Sequence, residues 1–179
     1  MAYHELAHTS HFRQVGTGYW IALGSAEIAA NGWGDGSEPD AGRVQIAEGW
    51  AEHIGVTYTD QKYGLMHSNT TNPAKINRFR WINLLERDLF DSGHVPVAIF
   101  HDLIDNNSSP IAGSEENWNV LNDGDSNGGG VRGYNNATIF SQLTSSVKEP
   151  VSLRENLKTI LPLGVTTNDI DALFQDYGY

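Results

Sequence analysis

Between Arg43 and Val56 the apolar residues Val44, Ala47, Ala51 and Ile54 stand three or four positions apart, the spacing that gathers them into one stripe of an α-helix. The same period returns after Pro73 at Ile76, Phe79, Ile82 and Leu85, and strand-like alternation is weak everywhere. Stripes of this kind are buried helix against helix. The predicted fold class is therefore mainly α, with few strands. Predicted helices cover about 3–14, 20–30, 43–56, 74–90, 97–104, 137–145 and 167–177, with one more opened by a capping box at Ser152-Leu-Arg-Glu155 and closed by Pro162. Two long irregular loops separate them, 31–42 and 106–136. The second is rich in Asn, Gly, Ser and acidic residues and exceeds an ordinary connection, so it is either an ordered functional loop or a mobile one. The length of 179 residues fits a single domain over 1–179.

Charge and composition narrow the chemistry. Acidic residues number 22 against 11 basic ones, a formal charge of −11, and no Lys/Arg cluster stands out, so a phosphate backbone would be repelled and no nucleic-acid partner is expected. The most apolar stretch, 15–30, is broken by Gly16, Gly18, Gly24 and Glu27, and no membrane span is predicted. With no cysteine in the chain, His and carboxylate groups are the strong metal ligands left.

Residues 4–8 read His-Glu-Leu-Ala-His, the H-E-x-x-H pattern of zinc peptidases. At about 100° per residue, His4 and His8 lie roughly 40° apart on one helix face, with Glu5 roughly 60° from His8. Two imidazoles can then share a cation while Glu5 reaches a water bound to it and acts as general base. A chance match in a chain this long is roughly a one-in-a-few-hundred event, so the pattern alone is only suggestive. A second element strengthens it: Ile46-Ala47-Glu48-Gly49-Trp50-Ala51-Glu52-His53 lies on the predicted helix over 43–56.

Taken together, these two motifs resemble the gluzincins, the zinc peptidases related to thermolysin and the membrane-alanyl aminopeptidases, in which a second helix supplies a glutamate ligand from a Glu-Gly-x-Ala motif. The resemblance covers residues 4 to about 53. It implies a zincin-like helical subdomain binding Zn²⁺ through His4, His8 and Glu48, and a zinc metallopeptidase acting on a peptide or protein substrate with Glu5 as catalytic base. His53 departs from the aromatic residue frequent at its place. Small Gly49 and Ala51 are expected to let this helix approach the first. The competing reading of Glu48 is a solvated carboxylate on an amphipathic helix, and the competing function is a non-catalytic, metal-stabilised binding or scaffold domain. A secreted or cell-surface setting is implied by the resemblance only. Compartment and oligomeric state are not readable from the residues.

Glu52, one turn beyond Glu48, is a candidate to orient a zinc-bound imidazole or to bind a charged substrate end. Asp102 and Asp105 are candidates for the same orienting duty or for capping their helix. His11 shares the helix face of His4 but stands about 10 Å further along the axis, too far to join it on one ion, and is expected to line the cleft or bridge to a carboxylate. His53, His67, His94 and His101 read as surface or hydrogen-bonded histidines. Tyr63, His67 and Tyr134 are unranked candidates for a transition-state donor. Asp123-Gly-Asp125-Ser-Asn127-Gly128 matches half of a calcium loop, but its twelfth position is Tyr134, so a Gly-rich flexible loop is favoured. Because the motif starts at the fourth residue and short helical turns fray, the domain is expected to be truncated at its N-terminus, and the chain alone to be a poor peptidase.

Overall fold

The computed structural model describes residues 2–63, 95–96, 99–104 and 130–179. Helix α1 runs Ala2–Val15 and α2 runs Thr17–Ala30, joined through Gly16 alone. Gly16 adopts φ +82°, a left-handed conformation that costs glycine little, and its amide donates to the Phe12 carbonyl at 2.8 Å. The two helices therefore form a tight hairpin. Asn31, also left-handed at φ 57°, ends α2, and the Gly32 amide closes back on the Glu27 carbonyl at 2.9 Å. A loop over 31–40 follows, in which the Glu38 carboxylate accepts the amides of Asp35 at 3.3 Å and Gly36 at 3.2 Å.

Helix α3, Ala41–Tyr63, is longer than the apolar stripe that predicts it. Residues 57–63 carry no Gly or Pro to break it. The remaining described elements are α4 (Ile99–Asp102), α5 (Asn136–Gln142), α6 (Pro150–Leu157), a 3-10 turn (Lys158–Ile160) and α7 (Thr167–Asp176). No strand occurs among the described residues, in keeping with a mainly α chain. Asn135 caps α5 by accepting the Thr138 amide at 2.9 Å. At α7, Thr166 and Asp169 cap reciprocally, Thr166 N–H to Asp169 Oδ2 at 2.7 Å and Asp169 N–H to Thr166 Oγ1 at 3.3 Å. The Ser152 prediction needs correction. Ser152 is the third residue of α6 rather than its cap, and its Oγ accepts the Glu149 amide at 3.3 Å. Pro150 opens the helix earlier because its missing N–H would be unpaired in a first turn anyway. The predicted helix over 74–90, Asp105 and the half calcium loop over 123–128 lie outside the described residues.

Helix α1 lies along α3, and α2 packs on both. On one flank of α3, Val44 and Ala47 bury against Leu23 and Ala26 of α2 and against Val95. On the other, Ile46, Trp50 and Ala51 join Ile99, Phe100 and Leu103, and this cluster continues into Leu153 and Leu157 of α6 and Ile170, Leu173 and Phe174 of α7. Gln14 ties the end of α1 to α5, its Nε2 donating to the carbonyls of Phe140 at 2.6 Å and Leu143 at 2.9 Å. The close approach of α1 to α3 depends on Gly55, not Gly49. A Cβ on Gly55 would lie 3.2 Å from the His4 Cβ, whereas one on Gly49 would lie 3.0 Å from the Phe100 ring. Gly49 thus admits Phe100, and the expectation that it admits α1 is corrected. No helix among the described residues is long and apolar enough to cross a membrane.

Candidate metal centre

Positions 4 and 8 fall one turn apart on α1, so the rings of His4 and His8 meet edge to face with centroids 4.6 Å apart. Their Nε2 atoms are 3.0 Å from each other. The buried Glu48 on α3 completes the set, with Oε1 3.2 Å from His8 Nε2 and Oε2 3.6 Å from His4 Nε2. Ligands held about 2.0–2.1 Å from a zinc ion in tetrahedral array stand roughly 3.3 Å from one another, and the three separations bracket that value. Two imidazoles and one carboxylate are also a donor set zinc accepts. His4, His8 and Glu48 therefore fit the ion in both geometry and chemistry.

The surroundings of the triad are acidic. Burial disfavours charge on His8, yet hydrogen bonding to Glu48 and the fields of Glu48, Glu5 and Glu27 outweigh it and hold its pKa above the usual value. Glu5 itself is exposed, on the flank of α1 beside His8. Glu27 was not anticipated as part of the site. It is half-buried on α2 and in hydrogen-bonding reach of Glu48; burial first, then the Glu48 charge, raises its pKa. The clue in the sequence was a lone carboxylate in a helix otherwise without charge, Thr-Gly-Tyr-Trp-Ile-Ala-Leu-Gly-Ser-Ala-Glu-Ile-Ala-Ala.

Glu52 lies with Oε1 3.4 Å from His4 Nδ1, on the side of the ring away from Glu48. His11 is 1% exposed, and neither ring nitrogen has a hydrogen-bond partner. The expected bridge from His11 to a carboxylate is therefore not formed. Burial and the neighbouring His8 push its pKa down to about 4. His53 is hydrogen-bonded, as its plainer reading had it: Nε2 stands 2.7 Å from Asn136 Oδ1 in the core, and burial drives its pKa down to about 4. Asp102 is buried and accepts the Tyr177 hydroxyl at 2.5 Å, anchoring the C-terminal segment to α4. Tyr134 donates its hydroxyl to the Leu157 carbonyl at 2.9 Å, a structural bond that engages the proton a transition-state donor would offer. His67, His94 and the side chain of Tyr63 lie outside the described residues.

Compared with protein-family models, with curated proteins and with solved structures, this chain matches none.

Proposed function

We propose that this chain is a zinc metallopeptidase of the gluzincin kind its motifs resemble, hydrolysing peptide bonds in a peptide or protein substrate with Glu5 as general base. The main support is the convergence of His4, His8 and Glu48, from helices far apart in sequence, at separations suited to zinc ligands. Zinc held by such a set lowers the pKa of a bound water and polarises a carbonyl. The chain's own residues supply the rest. His4 and His8 offer Nε2 as neutral imidazoles, and Glu52 is placed to fix the ring of His4 through Nδ1. Glu5, exposed and close enough to His8 for its charge to act on that ring, would take a proton at its carboxylate from the attacking water and return it to the leaving amine.

The competing reading is a non-catalytic, metal-stabilised binding or scaffold domain. Glu27 bears on it only as a carboxylate in reach of Glu48, since it lies outside the set of His4, His8 and Glu48 whose ligand atoms all stand within 4.8 Å of one another. Zinc content and peptide hydrolysis, measured on wild type and Glu5→Gln, test both. The proposal expects about one zinc in each protein and a hydrolysis rate lowered roughly 10²–10⁴-fold by the substitution. A zinc-loaded protein whose cobalt-substituted spectrum ignores a hydroxamate would favour the scaffold, and absence of bound zinc would sink both readings.

A further inference from the structure

His8 presents Nε2 to Glu48 and His4, so its Nδ1 points away, and that atom is buried without a hydrogen-bond partner. An imidazole binding a metal through Nε2 carries its proton on Nδ1, and such a proton ordinarily needs an acceptor. One turn along α1 stands His11, buried, with both ring nitrogens unpartnered. Trp20 of α2 packs edge-on against both rings, its centroid 5.4 Å from His8 and 6.0 Å from His11, and its indole Nε1 is also buried without a partner. Tyr19 closes the far side, 5.2 Å from the His11 ring. Unpaired buried polar atoms are costly, and these are gathered between the same two helices immediately behind a metal-binding face.

We infer that His11 is a positioning residue for the metal centre, accepting the Nδ1 proton of His8 across one ordered water that Trp20 also contacts. The chemistry is complementary. With Nε2 committed to the metal, His8 is a donor only. A neutral imidazole at His11 has one lone pair to accept and one N–H to give, and both of its buried nitrogens are without a partner. The Trp20 indole can only donate, so a water, having two acceptor sites, suits a place where donors crowd. His11 thus acts on the ion without touching it, which agrees with its distance along the helix from His4.

This inference rests on the metal-centre reading above, and the experiment separates the two. Zinc affinity is measured by competition with a chromophoric chelator for wild type, His11→Phe and His11→Gln, with the cobalt-substituted spectrum recorded for each. The expected result is one zinc per chain at saturation in all three, an affinity roughly 10–100-fold weaker in His11→Phe with an altered cobalt spectrum, and substantial recovery in His11→Gln, which restores an acceptor. Equal affinity and spectrum in His11→Phe, or equal loss in both variants, would overturn the role. If His11→Phe does not fold, the His8 Nδ1 proton in ¹⁵N-histidine-labelled, zinc-loaded wild type decides: a slowly exchanging resonance with a hydrogen-bonded shift supports the inference, and a freely exchanging one refutes it. Wild type that binds no zinc removes the metal centre and the inference together.

Discussion

Glu52 holds His4 from behind: its Oε1 lies 3.4 Å from His4 Nδ1 while Nε2 of the same ring faces Glu48 at 3.6 Å. One turn of α3 thus carries both a carboxylate on the Nε2 side of the imidazole and one on the Nδ1 side. Removing the outer carboxylate should free the ring to rotate. Glu52→Ala is expected to weaken zinc binding roughly 10–100-fold while leaving one zinc per chain at saturation, as read by chelator competition. An affinity equal to wild type would show that Glu52 does not orient His4.

Glu48 and His11 should differ in kind. Glu48→Ala removes a ligand and is expected to leave little zinc after dialysis, whereas His11→Ala retains the full complement at saturating zinc and loses only affinity. Elemental analysis reads the first and titration the second. If zinc binds only the folded arrangement of α1 and α3, as proposed, free zinc at about 100 times its dissociation constant should add roughly 2.7 kcal/mol of stability, and a chelator should lower the melting temperature accordingly.

Two glycines offer a contrast in packing. Gly55 faces the His4 Cβ, so Gly55→Val should push α1 off α3, costing about 1–3 kcal/mol and zinc affinity with it. Gly24, inside α2, has nothing within 4 Å of an added Cβ. Gly24→Ala should raise stability by about 0.5–1 kcal/mol through helix propensity alone and leave zinc affinity unchanged. Denaturant melts with parallel zinc titrations check both.

Acid should weaken the fold through His53. Burial depresses its pKa to about 4, against about 6.5 in the unfolded chain, the Asn136 contact opposing only part of that effect. Between these values the unfolded state binds the extra proton, so the stability present above pH ~6.5 is lost as pH falls toward 4, by at most a few kcal/mol. His11, whose pKa is also near 4, adds to the same limb. His53→Gln, which keeps a partner for Asn136 and cannot charge, should flatten the stability profile over that range, and an unchanged slope would assign the acid limb elsewhere.

The local half of the site was legible in the sequence. His4, Glu5 and His8 lie within two turns of one helix, and 3.6 residues per turn settles which of them share a face before any packing occurs. The same periodicity announced α3 and its Glu48, and the turn residues over 31–40 announced the break before it. What periodicity leaves undetermined is the rotation of one helix against another, because that depends on which knobs and gaps meet across the interface. The sequence shows that α3 has small residues. Only packing decides that Gly55 meets His4 while Gly49 meets Phe100, which is why the latter's role was misread. In the same way, α2 reads as an apolar helix interrupted by one carboxylate, and only its fold-back through Gly16 carries Glu27 to Glu48 and Trp20 to His8 and His11. Dihedral preference and helical period act over neighbouring residues and are written in the chain, whereas burial, and with it the pKa of His11, His53 and Glu27, arises only when distant segments exclude water from one another.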